Sequence, residues 1–157
     1  MTPEDQIDLL MESLTELELP DNEARAGWNI QAHEVMAAKR KLGIRLNISI
    51  RFTSGRNTHG THSVRKAYNE DRYYHRITLS QNKNADSASE TLWHEMAHAM
   101  QSEAWARASG KPPTKFYRLA YMNPAAKGAW GETYHMNKFE QHARDVANKN
   151  YKTKLVR

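Results

Sequence analysis

The stretch Ser87-Ala88-Ser89-Glu90-Thr91-Leu92-Trp93-His94-Glu95-Met96-Ala97-His98-Ala99-Met100-Gln101 decides how this chain is read. Ser87, followed three residues later by Glu90, has the capping-box form that marks a helix start. From there to about Ala108 the sequence holds no proline or glycine, and Gly110, Pro112 and Pro113 stop the run. Inside that helix His94 and His98 are four apart, so both imidazoles can point from one face at a single metal ion. Glu95 is placed to reach a water bound to that metal and to act as its general base. Leu92, Met96, Ala99 and Met100 form an apolar stripe beside the face that holds His94, Glu95, His98 and Gln101. The spacing predicts a helix with one face buried and the other turned to a cleft.

Outward from this helix, composition narrows the options. At 157 residues the chain reads as a single domain spanning 1–157, long enough for a core and short for an enzyme. It has no cysteine, which excludes disulfides and thiolate zinc sites, so any metal must be held by His, Asp or Glu. No apolar run approaches the roughly 18 residues of a membrane span, so no membrane partner is expected. The start, Met1-Thr2-Pro3-Glu4-Asp5, is unlike a secretory signal, which makes a cytoplasmic location the expectation. Charge is uneven: residues 1–23 hold 8 of the 18 acidic residues and no Lys or Arg. The other residues therefore hold 23 basic and 10 acidic groups, formally +13. A basic body of this kind invites nucleic acid or an acidic protein, although no nucleic-acid-binding motif is visible.

Thr2 and Pro3 suit the first positions of an acidic N-terminal helix, in which Ile7, Leu10, Met11, Leu14 and Leu17 recur at helical spacing until Pro20. A second helix is expected from Asp21 or Asn22 to just before Gly43, with Trp28, Ala32, Val35 and Met36 as its apolar face. His33 reads as a boundary residue on it. Ile44, Leu46, Ile48, Ile50 and Phe52 alternate with polar residues, a half-buried strand. Two further strands are expected at about Thr61 to Tyr68 and at Tyr73 to Ser80. His59 and His62 read as residues of an exposed glycine-containing loop. A short helix is expected around Lys115 to Tyr121, and a last one from Asn137 to about Asn150, followed by a basic tail at 151–157. The fold class is then α+β: about three strands, antiparallel or mixed, packed on the metal helix, with N-terminal helices and a C-terminal ligand-bearing helix.

Catalytic zinc takes three protein ligands and keeps one position open. The third can come from Glu140, His135 or His142 near the last helix, with Glu140 ranked first. Glu140 also reads as a capping glutamate three residues after Asn137. Thr91-Leu92-Trp93-His94-Glu95-Met96-Ala97-His98-Ala99 resembles the active-site helix of zincin metallopeptidases. With Ile77-Thr78-Leu79-Ser80 ahead of it, it is particularly similar to the SprT-like proteases. Asn137-Lys138-Phe139-Glu140-Gln141-His142-Ala143-Arg144 resembles the glutamate-bearing helix of gluzincin-like enzymes, with Ala143 as the small residue that permits close helix packing. His135 followed by Phe139 also fits the third-histidine pattern of the SprT-like group. Where gluzincins often have aspartate this chain has Arg144, and Asp145 is one place off the right face.

The resemblance implies a zincin-like domain with Zn2+ on His94, His98 and Glu140, and hydrolysis of a protein or peptide substrate with Glu95 as general base. Tyr134 and His135 are the candidates for a donor to the developing oxyanion. The alternative is a zinc-containing DNA- or protein-binding module on the same scaffold. The presence of Glu95 argues against it, because a structural metal has no use for a base.

Overall fold

The computed structural model describes residues 3–15, 32–53, 60–68, 72–80, 85–126 and 137–154. In chain order they form α1 (Pro3–Thr15), α2 (Ala32–Lys41), β1 (Asn47–Thr53), β2 (Gly60–Lys66), β3 (Tyr73–Ser80), α3 (Ala85–Ser109) and α4 (Lys138–Lys154). Between α3 and α4 lie a 3-10 turn at Pro113–Lys115, a π-helical turn at Tyr117–Tyr121 and a second 3-10 turn at Pro124–Ala126. The protein is mixed α+β with one small mixed sheet, as the pattern of elements predicts. Among the described residues no helix is long and apolar enough to cross a membrane.

The sheet has the order β1-β3-β2, with β1 parallel and β2 antiparallel to the central β3. The register places Ile50 and His62 on either side of Ile77, and Ile48 and Val64 on either side of His75. Because strand side chains alternate, these residues share the inner face, with Ile77, Leu79 and His75 fully buried. The other face holds Ser49, Arg51, Tyr74, Arg76, Thr78, Ser63 and Arg65 by the same alternation.

α3 lies on the inner face and runs through the centre of the molecule. It starts at Ala85, two residues before the expected Ser87, and ends at Gly110, whose φ of 71° gives the left-handed C-terminal cap. The expectation of one buried and one open face is too simple. From Leu92 to Glu103 every residue is buried except the half-buried His94, because the sheet, α1, α2 and α4 surround the helix. Of its buried polar side chains, His98, Gln101, Ser102 and Glu103 are tolerable because partners meet them.

α2 ends in a Schellman motif: Gly43 (φ 67°) donates to the Arg40 carbonyl and Ile44 to that of Lys39. Val35 is buried as expected, but Met36 is 52% exposed and does not belong to the apolar face. The expected start near Asp21, and Trp28, lie outside the described residues. Trp93 Nε1 donates to Glu34 at 3.1 Å and fixes α2 against α3. α1 inserts Ile7 and Leu10 into the core.

Candidate metal and hydrolytic site

His94 and His98 project from adjacent turns of α3 toward the first turn of α4. Asn137 caps α4, its Oδ1 accepting from the backbone N–H of Phe139 at 2.8 Å and of Glu140 at 3.3 Å. Asn137 Nδ2 also donates to the Tyr121 carbonyl at 2.9 Å, which ties the π turn to the same helix end. Glu140 thus sits at the positive end of α4, where a carboxylate is stabilised. Fully buried Ala143 and Phe139 allow the two helices to approach.

A capping role therefore does not describe Glu140. Asn137 does the capping, and the Glu140 carboxylate faces the histidines at 2.8 Å (Oε1 to His94 Nε2) and 3.1 Å (Oε2 to His98 Nε2). One ligand atom from each of His94, His98 and Glu140 lies within 4.8 Å of the others. Among the described residues this is the single group of three or more such side chains that could hold a metal. Tyr121 donates to Glu140 Oε2 at 2.5 Å.

Hydrogen bonding fixes the His98 tautomer. The Gln101 amide nitrogen donates to the Phe139 carbonyl at 2.9 Å, so its oxygen must face His98 Nδ1, 2.8 Å away. Nδ1 therefore carries the hydrogen, and Nε2 turns a lone pair toward Glu140. Two facing lone pairs need a cation between them, and either a proton on Nε2 or a metal ion provides it. The donor set of two imidazoles and one carboxylate, with no thiolate, suits zinc. The site residues thus fit a zinc ion by their chemistry and by the direction of their lone pairs.

Protonation follows the same logic. Burial alone would raise Glu140, but hydrogen bonds from His94 and His98, the charge of His98 and the Tyr121 hydroxyl hold it far below the usual carboxylate range. For His98 burial acts downward and is outweighed by the hydrogen bond and charge of Glu140, so its pKa is raised. Glu95 is raised, first by burial, which exceeds the lowering by His98 and His94.

Of the other candidates, His142 is brought near but not into the group: its Nδ1 accepts from Gln101 at 2.8 Å. Tyr134, His135 and His59 lie outside the described residues. His62 is a correction. It lies on β2, only 8% exposed, with Tyr117 and His75 on its two ring nitrogens. The alternation of β2 was the signal that could have placed it, since His62 shares parity with Val64. Gln101, not an aspartate on α4, supports His98. Tyr117 and Tyr121 were missed because the expected helix at Lys115 to Tyr121 is a 3-10 turn followed by a π turn. The wider π turn brings their rings to 5.3 Å centroid separation.

Compared with known proteins, the chain matches no protein family, no curated protein and no solved structure.

Proposed function

We propose that this protein is a zinc-dependent peptide hydrolase of gluzincin-like, zincin architecture. The observation that carries this reading is the convergence of His94, His98 and Glu140, from two helices, next to Glu95 on the same turn of α3. A zinc ion held there supplies a Lewis acid that polarises a carbonyl and lowers the pKa of water toward ~7. Glu95 accepts a proton from the attacking water and delivers it to the departing nitrogen. Gln101 keeps His98 Nε2 free of hydrogen for the metal, and Tyr121 orients the Glu140 carboxylate. Tyr134 stays the sequence candidate for the oxyanion donor.

The deciding experiment compares wild type with Glu95→Gln, using fluorescent casein as a general protein substrate. Both should contain about one zinc per chain by elemental analysis, and only wild type should cleave. A cleaving Glu95→Gln variant would remove the hydrolase reading.

A second reading, binding of nucleic acid, is favoured by the sheet. Its three strands contain Arg51, Arg65, Lys66 and Arg76 and no acidic residue. The outer face places Arg76 over the Tyr74 ring at 5.8 Å, a pairing suited to phosphates and stacked bases. Affinity for a single-stranded oligonucleotide should then fall steeply with salt. Binding that ignores salt would exclude it.

A further inference from the structure

The register of the sheet arranges its outer face as a grid of three rows. One row joins Arg65 of β2 to Tyr74 of β3, the next has Arg76 of β3 at its centre, and the third joins Arg51 of β1 to Thr78 of β3. The other positions of the grid are an asparagine, two serines and a threonine. Nothing on this face is aliphatic and nothing is acidic, so it offers hydrogen bonds and positive charge but no surface for apolar packing. Arg51 and Arg65 are exposed, and Arg76 and Tyr74 half-buried.

The three arginines lie on one diagonal of the grid. Each step from Arg51 to Arg76 to Arg65 moves one strand over and two residues along, in the same direction. With strands about 4.8 Å apart and a rise of about 3.3 Å per residue, each step spans about 8 Å between backbones. Three cations on one face repel one another, and an anion laid along them removes that repulsion. Two of the side chains are already held. Arg76 Nη2 donates to Tyr74 Oη at 3.3 Å with its guanidinium 5.8 Å from the ring centre, and Arg65 Nε donates to Ser63 Oγ at 3.4 Å. Less rotamer freedom is then lost on binding. Past Arg65, the turn that follows β2 is closed by the Ala67 N–H donating to the Arg72 carbonyl at 2.8 Å, and it carries Tyr68, 90% exposed.

We propose that the outer face holds one strand of nucleic acid along this diagonal, with Arg51, Arg76 and Arg65 each meeting a phosphate and Tyr68 stacking on a base at the Arg65 end. This rests on the nucleic-acid reading above and not on the hydrolase one. The arginines supply the attraction that every sequence shares, and the tyrosine ring accepts any base by its face. An acidic polypeptide would satisfy the arginines but leave the Tyr68 ring without a role. A duplex keeps its bases stacked inside and offers none to that ring. Because α3 lies on the inner face, the bound strand stays clear of His94, His98 and Glu140.

Fluorescence anisotropy of the full chain with a labelled oligothymidylate of about 12 nucleotides, titrated with sodium chloride, tests this. Each phosphate contact on a single strand adds about 0.7 to the slope of log affinity against log salt. The Arg51→Gln/Arg65→Gln double variant should therefore lower the slope by about 1.4, and adding Arg76→Gln should lower it by about 2 in all. Arg51 and Arg65 are exposed, so the double variant decides the matter even where the triple one fails to fold. Lys149→Gln, which removes a charge from an exposed position of α4, should leave the slope within about 0.2. Tyr68→Ala should weaken binding about fivefold or more at unchanged slope. Absence of wild-type binding at low salt overturns the nucleic-acid reading and the diagonal with it. Salt-dependent binding whose slope survives the double variant, or falls as much in Lys149→Gln as per arginine, overturns the diagonal and leaves that reading standing. Competition by polyglutamate equal to that of unlabelled oligothymidylate, or equal affinity for a duplex, overturns the single-strand assignment.

Discussion

At the scale of single residues, the hydrogen-bonding demands of Gln101 decide most of the site. Its amide spans His98, the Phe139 carbonyl and His142, so one side chain sets a tautomer on α3 and ties it to α4. Gln101→Ala should weaken zinc binding by about 10–100-fold without unfolding the protein, as competition with a chelator would measure. The pairing of Glu140 with His98 gives a pH signature in the chelator-treated protein. His98 is raised, so its contribution is complete below the unfolded value of about 6.5 and fades as pH rises through the folded one. Glu140 is lowered, so its contribution is complete above about 4.3 and fades as pH falls through the folded value. His62, lowered by burial, acts the other way, removing stability as pH falls below about 6.5. Comparing wild type with Glu140→Gln cancels His62. The difference in denaturation midpoint should peak near pH 5–6, roughly 1–3 kcal/mol in stability, and shrink above pH 8. A difference that grows with pH would contradict this pairing.

At the scale of elements, the approach of β2 to α3 sets the position of Glu95. A Cβ added at Gly60 would lie 2.5 Å from Thr91 Cγ2 and 3.3 Å from Glu95 Cγ. Thr91 is β-branched and stiff, so the collision cannot be relieved by a rotamer change alone. Gly60→Ala should therefore cost about 1–3 kcal/mol and reduce hydrolysis more than zinc content, because Glu95 moves while the ligand helices keep their contacts. Thr91→Ser removes the colliding methyl, and the Gly60→Ala/Thr91→Ser double variant should recover most of the midpoint in a urea titration. Absence of any rescue would mean that the strand and helix separate some other way. The π turn is the other element-scale device, since it presents Tyr121 to Glu140 and Tyr117 to His62 from one short segment.

At the scale of the whole molecule, α1 closes the core beneath α3. Ile7 and Leu10 are buried, and Asp8 meets Lys138 of α4 at 2.9 Å, an exposed pair of small energetic value. The docking of α1 thus depends on its apolar stripe. Leu10→Ala should cost about 2–4 kcal/mol and lower Tm on the order of 5–15 °C, as calorimetry would register. Lys138→Ala should change Tm by far less. If the two substitutions were equal, charge rather than burial would hold the helix. The same pinning keeps an acidic helix beside the first turn of α4.

Local sequence signals determined the elements: the glycine caps at Gly43 and Gly110, the Asn137 cap, the strand alternation around Ile77 and the histidine pair on α3. Each depends on residues within a turn or two of one another, where sterics and backbone hydrogen bonding act directly. Only the tertiary structure decided that Glu140 rather than His142 faces the pair, because two residues of one helix with similar ligand chemistry differ only in direction. It moved His62 from an expected exposed loop to the interior, a placement that parity with Val64 allows but that depends on what packs over the strand. Tyr117, Tyr121, Glu103 and the partners of Gln101 were invisible for the same reason. Their meaning lies in hydrogen bonds to partners far along the chain: 13 residues separate His62 from His75, 38 separate Gln101 from Phe139, and 55 separate His62 from Tyr117. No periodicity spans such gaps, and only packing the helices on the sheet closes them.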